Sequence, residues 1–461
     1  MTGLKHITQV YFLGIGGIGM SALARYFKHA GYEVAGYDRT ETQLTRELQA
    51  EGIDVHYDDR PEWLSGHLKK EETLVVVTPA IPAELGEKQF IEQAGFPMKK
   101  RSEVLGVICN ELSSCAVAGT HGKTSVTTML AHILKTSSLG CTAFLGGISI
   151  NYQTNLLLDA ESEWVVAEAD EFDRSFLQLF PNLAVITSMD ADHLDIYGNH
   201  ESIMESFRLF AGQVKNGGTV VVKKGLPLTA AQNPEVRFFN YSLSEKADFY
   251  AKNIELVNEA YQFDLVHPKG MIEGMQLNYP GLMNVENAVA ASALALLAGV
   301  DSEVLMLALS TYHGVKRRFD IRHRGENFIL IDDYAHHPEE LKATIGSVRA
   351  MFAGRKVTGI FQPHLFSRTR DFADGFAREL DQLDEVLLLD IYPAREKPIA
   401  GVTSNLIFEQ LKNENKKLIT KEELPGEAEK LDAGVILMMG AGDIDTLVEP
   451  VKTKLVEKEH V

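Results

Sequence analysis

Ala118-Gly119-Thr120-His121-Gly122-Lys123-Thr124 is the stretch whose reading decides the fold. An apolar run ends at Ala118, two glycines bracket a tight turn, and the residues from Ser125 to Leu134 have helical spacing. A strand, a tight turn and a helix in that order aim backbone N–H groups and the positive end of the helix at one point, where a nucleotide phosphate is held. The turn is shorter than the common GxxxxGK[ST] loop, because only Thr120 and His121 separate its glycines. The strand before it, Gly-Lys-Thr within it and the helix after it still assign it to phosphate: Lys123 offsets the β/γ-phosphate charge and Thr124 ligates Mg²⁺.

Two strands downstream supply what such a loop needs. Trp164–Ala167 runs into Glu168-Ala169-Asp170-Glu171, and Leu183–Thr187 runs into Ser188-Met189-Asp190-Ala191-Asp192-His193. In a parallel sheet these carboxylates and the imidazole stand at the edge that carries the phosphate loop. Hard oxygen donors with a few waters suit Mg²⁺, so Glu168 and His193 are read as metal ligands with Thr124. Asp190, Glu171 and Asp195 are read as helix caps or loop carboxylates. Further on, Pro280-Gly281-Leu282-Met283-Asn284-Val285-Glu286-Asn287-Ala288 opens an alanine-rich helix, where Asn284 either caps the helix or reads an adenine edge.

Toward the N-terminus, the strand Ile7–Leu13 leads into Gly14-Ile15-Gly16-Gly17-Ile18-Gly19, a helical pattern from Met20 to Ala30 and a second strand, Tyr32–Tyr37, ending in Asp38. This is GxGxxG in strand–turn–helix context, with a carboxylate placed to accept from ribose hydroxyls. Taken alone, the segment reads as the dinucleotide site of a NAD- or FAD-dependent oxidoreductase, or as glycines that serve only helix–strand packing. A third strand, Thr73–Val77, ends in the rigid loop Thr78-Pro79-Ala80-Ile81-Pro82. Lys99-Lys100-Arg101 is read as a solvated linker face that marks the first boundary.

Toward the C-terminus, Gly314-Val315-Lys316-Arg317-Arg318-Phe319-Asp320 starts the last segment. The strand Ile329-Leu330-Ile331 then delivers Asp332-Asp333-Tyr334-Ala335-His336-His337 before a Pro338-started helix. Phe361-Gln362-Pro363-His364 is followed by Arg368 and Arg370, which suit bidentate binding of carboxylate or phosphate. The strands Val386–Leu389 and Val435–Met438 lead to Asp390-Ile391-Tyr392-Pro393 and to Gly440-Ala441-Gly442-Asp443. Functional groups after strands, repeated along the chain, predict an α/β protein with three domains: a Rossmann-like domain over 1–105, a P-loop ATPase-like domain over 106–313 and a second Rossmann-like domain over 314–461.

Bulk properties agree with that size. The chain has 461 residues, enough for about three domains. A net charge of -19 without a dense Lys/Arg run argues against a nucleic-acid groove. The longest small-apolar run, 288–300, is shorter than the ~20 residues of a membrane span, and the N-terminus lacks a secretory apolar region, so no membrane insertion and a cytoplasmic location are expected. Cys109, Cys115 and Cys141 lack metal-ligand spacing and read as reduced thiols.

At this point a resemblance becomes specific. AGTHGKTS, EADE, TSMDADHLDIYG and MNVENAVAA resemble the ATP-binding domain of the Mur ligases, the amide-forming enzymes that build the peptidoglycan stem peptide. The segments at 314–319, 332–338, 361–369, 392–394 and 440–443 are similar to that family's GxxRRF, DDYAHHP, FQPHxxxRT, YPA and GAGD stretches, and GIGGIGMSALA is similar to a UDP-binding domain found in it. The resemblance implies that the first domain holds a uridine diphosphate sugar through Gly14, Gly16, Gly17, Ile18, Gly19, Asp38, Thr78 and Ala80. It implies ATP and Mg²⁺ as cofactors, with ATP on Gly119, Thr120, His121, Gly122, Lys123, Thr124, Ser125, Asn287, Arg318 and Asp332. It further implies UDP-N-acetylmuramate and L-alanine as substrates of a monomer or homodimer, with His336, His364, Arg368 and Arg370 on the amino acid or muramate. Lys123, His193, Arg318 and His337 are the implied catalytic residues, the two histidines being candidate general bases. A family member that adds a whole tripeptide to the same sugar is the alternative, and the oxidoreductase the more remote one. Several members carry a metal-bridging carbamylated lysine on the helix after the DxxH-type loop; Glu201–Val214 contains no lysine, so no carbamate is expected.

Overall fold

Gln9–Leu13 lies at the centre of a five-stranded, all-parallel sheet in the order Asp54–His56, Glu33–Tyr37, Gln9–Leu13, Thr73–Val77, Met98–Lys100. The computed structural model describes residues 6–190, 197, 199–229, 233–394 and 396–459. Val10 and Phe12 point into one apolar core and Tyr11 and Leu13 into another, so the strand is covered on both faces, which is why it reads as a continuous apolar run. The strand order reverses beside Gln9–Leu13, and the glycine turn that follows this strand therefore sits at the switch point where open α/β sheets bind ligands.

The phosphate-loop strand, Ser113–Ala118, is central in a ten-stranded sheet. Trp164–Ala169 and Leu183–Ile186 flank it in parallel register. Outside them lie Thr142–Phe144 and Leu156–Leu157 on one side, and on the other Thr219–Lys223, Arg237–Ser242, Phe249–Val257, Ala260–His267 and Gly270–Leu277. Helix Lys123–Thr136 starts directly from the second loop glycine and is buried from Thr124 to Leu134. The strand before Glu168 is two residues longer than its apolar run suggests, so Glu168 belongs to the strand itself rather than to the loop beyond it.

A six-stranded sheet closes the chain in the order Asp320–Arg324, Phe328–Asp333, Gly434–Met439, Val357–Phe361, Glu385–Leu388, Lys416–Leu418. Only its first pair is antiparallel. Three neighbouring strands, ending at Asp333, Phe361 and Met439, thus deliver their following loops to one edge. The protein has three α/β domains of mostly parallel sheet. By chain contacts it forms two compact units: Met1–Ile254 with Gln262–Leu277 and Glu286–His313, and Glu255–Tyr261 with Asn278–Val285 and Gly314–Val461. The first sheet lies wholly in the first unit, and so does the second apart from Glu255–Tyr261.

Lys99-Lys100-Arg101 is not a linker, although Lys100 is exposed as its charge suggests. Lys99 and Lys100 complete the strand Met98–Lys100, Arg101 opens the helix Arg101–Glu111, and Lys100 and Arg101 are engaged by Asp173 and Asp170. Cys109, Cys115 and Cys141 are buried and unpaired, and burial pushes the Cys109 and Cys141 thiols up to about 12. Among the described residues no helix is long and apolar enough to cross a membrane.

Candidate active site

The phosphate loop is shaped by what its glycines touch. Gly119 has φ +139°, and a Cβ there would stand 2.0 Å from Thr187 Oγ1, so no other residue fits. Gly122, at φ +83°, would bring a Cβ to 2.9 Å from Asn287 Oδ1, which places Asn287 against the loop. The end of the neighbouring strand frames the turn: His121 N donates to Ser188 Oγ (2.7 Å), Thr120 N to Ser188 O (3.3 Å) and Thr187 Oγ1 to Ala118 O (3.1 Å).

Lys123 folds back over this turn. Its ammonium donates to Gly119 O at 2.6 Å and meets Glu171 Oε1 at 2.9 Å and Oε2 at 2.8 Å. Burial pulls the Lys123 pKa down, but Glu171, Asp170 and Glu168 outweigh it and hold the amine firmly charged. Glu171 stands at the N-cap position of the short helical turn Phe172–Gln178, but its side chain makes no capping bond and is no loose loop carboxylate. It is the counter-ion of the phosphate-loop lysine, buried almost completely.

Thr124 Oγ1 donates to Glu168 Oε2 at 3.1 Å, so the two proposed metal donors are already side by side. A Cβ on Gly146 would lie 1.8 Å from Glu168 Oε2, so the loop after Thr142–Phe144 must pass this carboxylate as glycine. Among the described residues no three His, Cys, Asp or Glu side chains form a metal cluster. A hydroxyl and one carboxylate nonetheless fit Mg²⁺, which takes few protein ligands and completes its octahedron with water and phosphate oxygens. His193 and Asp195 lie outside the described residues. On the helix His200–Gly212 the long cation is Arg208, paired with Glu201 at 2.7 Å and Glu205 at 3.2 Å.

At the first glycine loop, Gly14 has φ +89° and packs under Thr78 and Ile81, which brings the 78–82 loop over the turn. Helix Ile18–His29 has no acidic residue in its first turn and no side-chain cap, leaving its N-terminus open to an anion. Asp38, expected to receive ribose hydroxyls, also braces the loop: Oδ2 accepts from Gly16 N (2.8 Å) and Oδ1 from Thr40 N (3.1 Å). Ala80 is exposed in its turn.

In the second unit, the loops after the three adjacent strands meet. Arg317 and Arg318 both lie over the Tyr334 ring, at 5.0 and 4.9 Å from its centroid, and Arg317 Nη2 donates to Gly440 O (2.8 Å) and Gly442 O (3.2 Å). Asp332 is buried, and that burial, against the pull of Arg317, pushes its carboxyl up to about 7. Asp333 is committed to structure, accepting from Phe319 N, Ala335 N and Thr344 Oγ1. His336 Nδ1 lies 2.8 Å from Tyr334 O, a carbonyl that can only accept, so the ring carries its proton on Nδ1 and leaves Nε2 as an acceptor. Burial pushes the His336 pKa down to about 4, with Glu340 opposing and Arg368 and Arg318 adding to the fall. His336 meets the His364 ring at 5.8 Å, His364 stacks on Tyr392, and Arg368 Nη1 lies 3.5 Å from His364 Nδ1.

The structure thus brings His336, His364 and Arg368 together and leaves His337 and Arg370 apart from them. His337 Nδ1 caps helix Pro338–Met351 through Glu339 N, and its ring packs on Phe372. Arg370 is exposed and pairs with its neighbour Asp371. Sequence reading passed over Arg317, Tyr334, Glu340 and Tyr392. Arg317, Tyr334 and Tyr392 stand inside segments already singled out, whereas Glu340 carried no signal beyond its place one helical turn after His336.

Comparison with known proteins agrees along the chain. Residues 9–112 match the family model "Mur ligase family, catalytic domain", 117–295 match "Mur ligase middle domain" and 317–442 match "Mur ligase, glutamate ligase domain". The UDP-N-acetylmuramate–L-alanine ligase of Parabacteroides distasonis is 50% identical over 450 residues, 97% of either chain. The protein of that name from Christiangramia forsetii is 48% identical over 462 residues, covering 99% of this chain and 100% of its own. The crystal structure of UDP-N-acetylmuramate-alanine ligase from Thermotoga maritima superposes with a TM-score of 0.82 at 27% identity, over 98% of this chain and 99% of that one. A murein peptide ligase from Psychrobacter arcticus shares the fold, with a TM-score of 0.70 at 22% identity over 97% and 98% of the two chains.

Proposed function

The chain belongs to the Mur ligase family, and from that premise we propose that it joins L-alanine to UDP-N-acetylmuramate at the expense of ATP, a step of peptidoglycan precursor synthesis carried out in the cytoplasm. The observation that carries this reading is the Lys123 site: a charged, buried lysine held in a glycine turn at a helix N-terminus, beside a hydroxyl–carboxylate pair. Residues 1–105 take the UDP sugar, 106–313 take ATP and 314–461 take the amino acid. Mg²⁺, held by Thr124 and Glu168 when bound, would offset phosphate charge.

In the reaction the lactyl carboxylate oxygen of the sugar attacks the γ-phosphorus, the bond to the β-phosphate oxygen breaks, and ADP leaves. Lys123 stabilises the charge gathering on the transferred group, a task that positioned cations perform well in a water-poor site. The amine of alanine then attacks the acyl carbon, and inorganic phosphate departs as the amide forms. That amine must be neutral when it attacks. His336, which keeps a lone pair on Nε2 at neutral pH, is the histidine able to accept a hydrogen bond from it, while His337 uses Nδ1 as a helix cap. Arg318 and Arg368 supply positive charge for phosphate and carboxylate groups.

The test is substrate-dependent release of ADP. Release should require UDP-N-acetylmuramate together with a single amino acid, and should be fastest with L-alanine among alanine, glycine and serine. No release with any single amino acid, but release with a tripeptide, would transfer the chain to the tripeptide-adding branch.

A further inference from the structure

The acidic groups of 168–173 face two ways. Glu168 and Glu171 turn toward the phosphate loop, to Thr124 and Lys123. Asp170 and Asp173 turn toward the first sheet, where Arg101 Nη2 reaches Asp170 Oδ2 at 3.2 Å and Lys100 Nζ reaches Asp173 Oδ2 at 2.7 Å. Lys100 ends the last strand of that sheet, and Arg101 begins the helix after it. The Arg101 guanidinium also lies over Gly19, the last glycine of the first motif, in the opening turn of helix Ile18–His29: a Cβ on Gly19 would stand 2.9 Å from Nη1 and 3.1 Å from Cδ. One side chain therefore touches the glycine motif of the first sheet and the carboxylate turn of the second.

Apart from Lys100 on Asp173, the turn that it grips is otherwise anchored within its own sheet. Phe176 N donates to Asp170 O, Tyr197 OH donates to Glu171 O, and Glu171 is paired with Lys123. None of these contacts involves Arg101. The spacing between the two loops is another matter. Beyond Glu171 the backbone holds two successive left-handed residues, Asp173 (φ 52°) and Arg174 (φ 53°), a conformation that non-glycine residues keep only where their surroundings enforce it. Lys100 on Asp173 is part of that enforcement.

We propose that Arg101 is a positioning residue for phosphoryl transfer: by lying on Gly19 while holding Asp170, it sets the spacing between the loop that takes the UDP sugar and the turn that carries Glu168 and Glu171. The inference rests on the function proposed above, since only a reaction between a group bound at the first loop and a phosphate bound at the second makes that spacing matter. In-line transfer tolerates little error in the separation of its reacting atoms, and a misplacement of about 1 Å can lower the rate by about 100-fold.

The experiment compares Arg101→Gln, Arg101→Lys, Asp170→Asn and the double variant Arg101→Gln/Asp170→Asn with the parent chain, by steady-state kinetics and by calorimetric titration with ADP and with UDP-N-acetylmuramate. The expected result is a kcat lowered by ~10- to 100-fold in Arg101→Gln. In Arg101→Gln the ADP and UDP-N-acetylmuramate dissociation constants should stay within about threefold, Arg101→Lys should recover part of the loss of rate, and the double variant should be no slower than the worse single one. Asp170→Asn, which keeps the side chain's size, serves if Arg101→Gln folds poorly. A kcat within about threefold of the parent in both single variants, additive losses in the double variant, or equal losses of ADP affinity, thermal stability and rate would overturn the proposal. A parent chain that does not turn over UDP-N-acetylmuramate would defeat the proposed function instead, so the two failures are told apart.

Discussion

Replacing Glu171 with glutamine isolates the contact on which the phosphate loop rests. The Lys123 and Glu171 side chains are 14% and 1% exposed, so the pair is nearly dry and solvent screens it little. Removing one partner of a buried ion pair costs about 3–5 kcal/mol. Glutamine still offers Lys123 a carbonyl oxygen, which puts the expected loss near the lower end, ~3 kcal/mol, or roughly 6–12 °C in the melting temperature at 2–4 °C per kcal/mol. Burial lowers the lysine's pKa and the carboxylates raise it further, so the folded value is the higher one. Such a group contributes its stability below the unfolded lysine value and loses it only as pH rises through the folded one; the difference between parent and variant should therefore be flat from about pH 6 to 9.

Nucleotide should then repair the defect. In the parent chain a phosphate must draw Lys123 away from Glu171, whereas in Glu171→Gln it meets a lysine without a charged partner there. If the ADP dissociation constant falls about 10-fold, a concentration that stabilises the parent by about 2.7 kcal/mol stabilises the variant by about 4.1 kcal/mol. Differential scanning fluorimetry with and without ADP reads both effects. An apo melting temperature within 1 °C of the parent, or an ADP-induced rise no larger in the variant, would refute the assignment of Glu171 as the lysine's counter-ion.

Gly146→Ala should abolish or greatly weaken Mg²⁺-dependent ADP binding while leaving UDP-N-acetylmuramate binding intact, because the added methyl would collide with Glu168 Oε2; titration with each ligand separates the two sites. Acid should destabilise the chain through His336 and His132, both pushed down to about 4 by burial. A depressed histidine contributes stability that is complete above the unfolded value of about 6.5 and is lost as pH falls toward the folded one. Asp332, pushed up to about 7, acts in the opposite sense and gains stability as pH falls. Urea unfolding from pH 4 to 7.5 should accordingly show a shallower loss on acidification in His336→Gln than in the parent, and an unchanged slope would count against the buried neutral ring.

The parts of this structure that could be read from sequence are those encoded locally. Glycines at Gly119 and Gly122 followed by Lys123, or Gly14, Gly16 and Gly19 after an apolar strand, specify turn and ligand within a dozen residues. Partners set by long-range register could not be read. Glu171 looks like any loop carboxylate until Trp164–Ala169 is laid beside Ser113–Ala118, 48 positions earlier for the Lys123 contact. Gly146 has no local mark, since its reason is the Glu168 side chain on another strand. Lys100 and Arg101 look like a solvated linker, and Lys100 is exposed, but their acidic partners lie about 70 residues away, in the turn that follows a strand of the second sheet. His337 followed the opposite course: its motif was conspicuous, but its position just ahead of Pro338 makes it a cap.

The three buried cysteines make the native chain a convenient host for thiol probes. Cys109, Cys115 and Cys141 all lie in the first unit, and their burial and raised thiol pKa values should leave them silent toward maleimides at neutral pH. A cysteine introduced at exposed Glu161 and another at exposed Glu414, one in each unit, would be the only fast-reacting thiols, so a donor–acceptor dye pair can be installed without first removing any native residue. Energy transfer between the dyes would follow the two units through turnover in an otherwise unaltered enzyme.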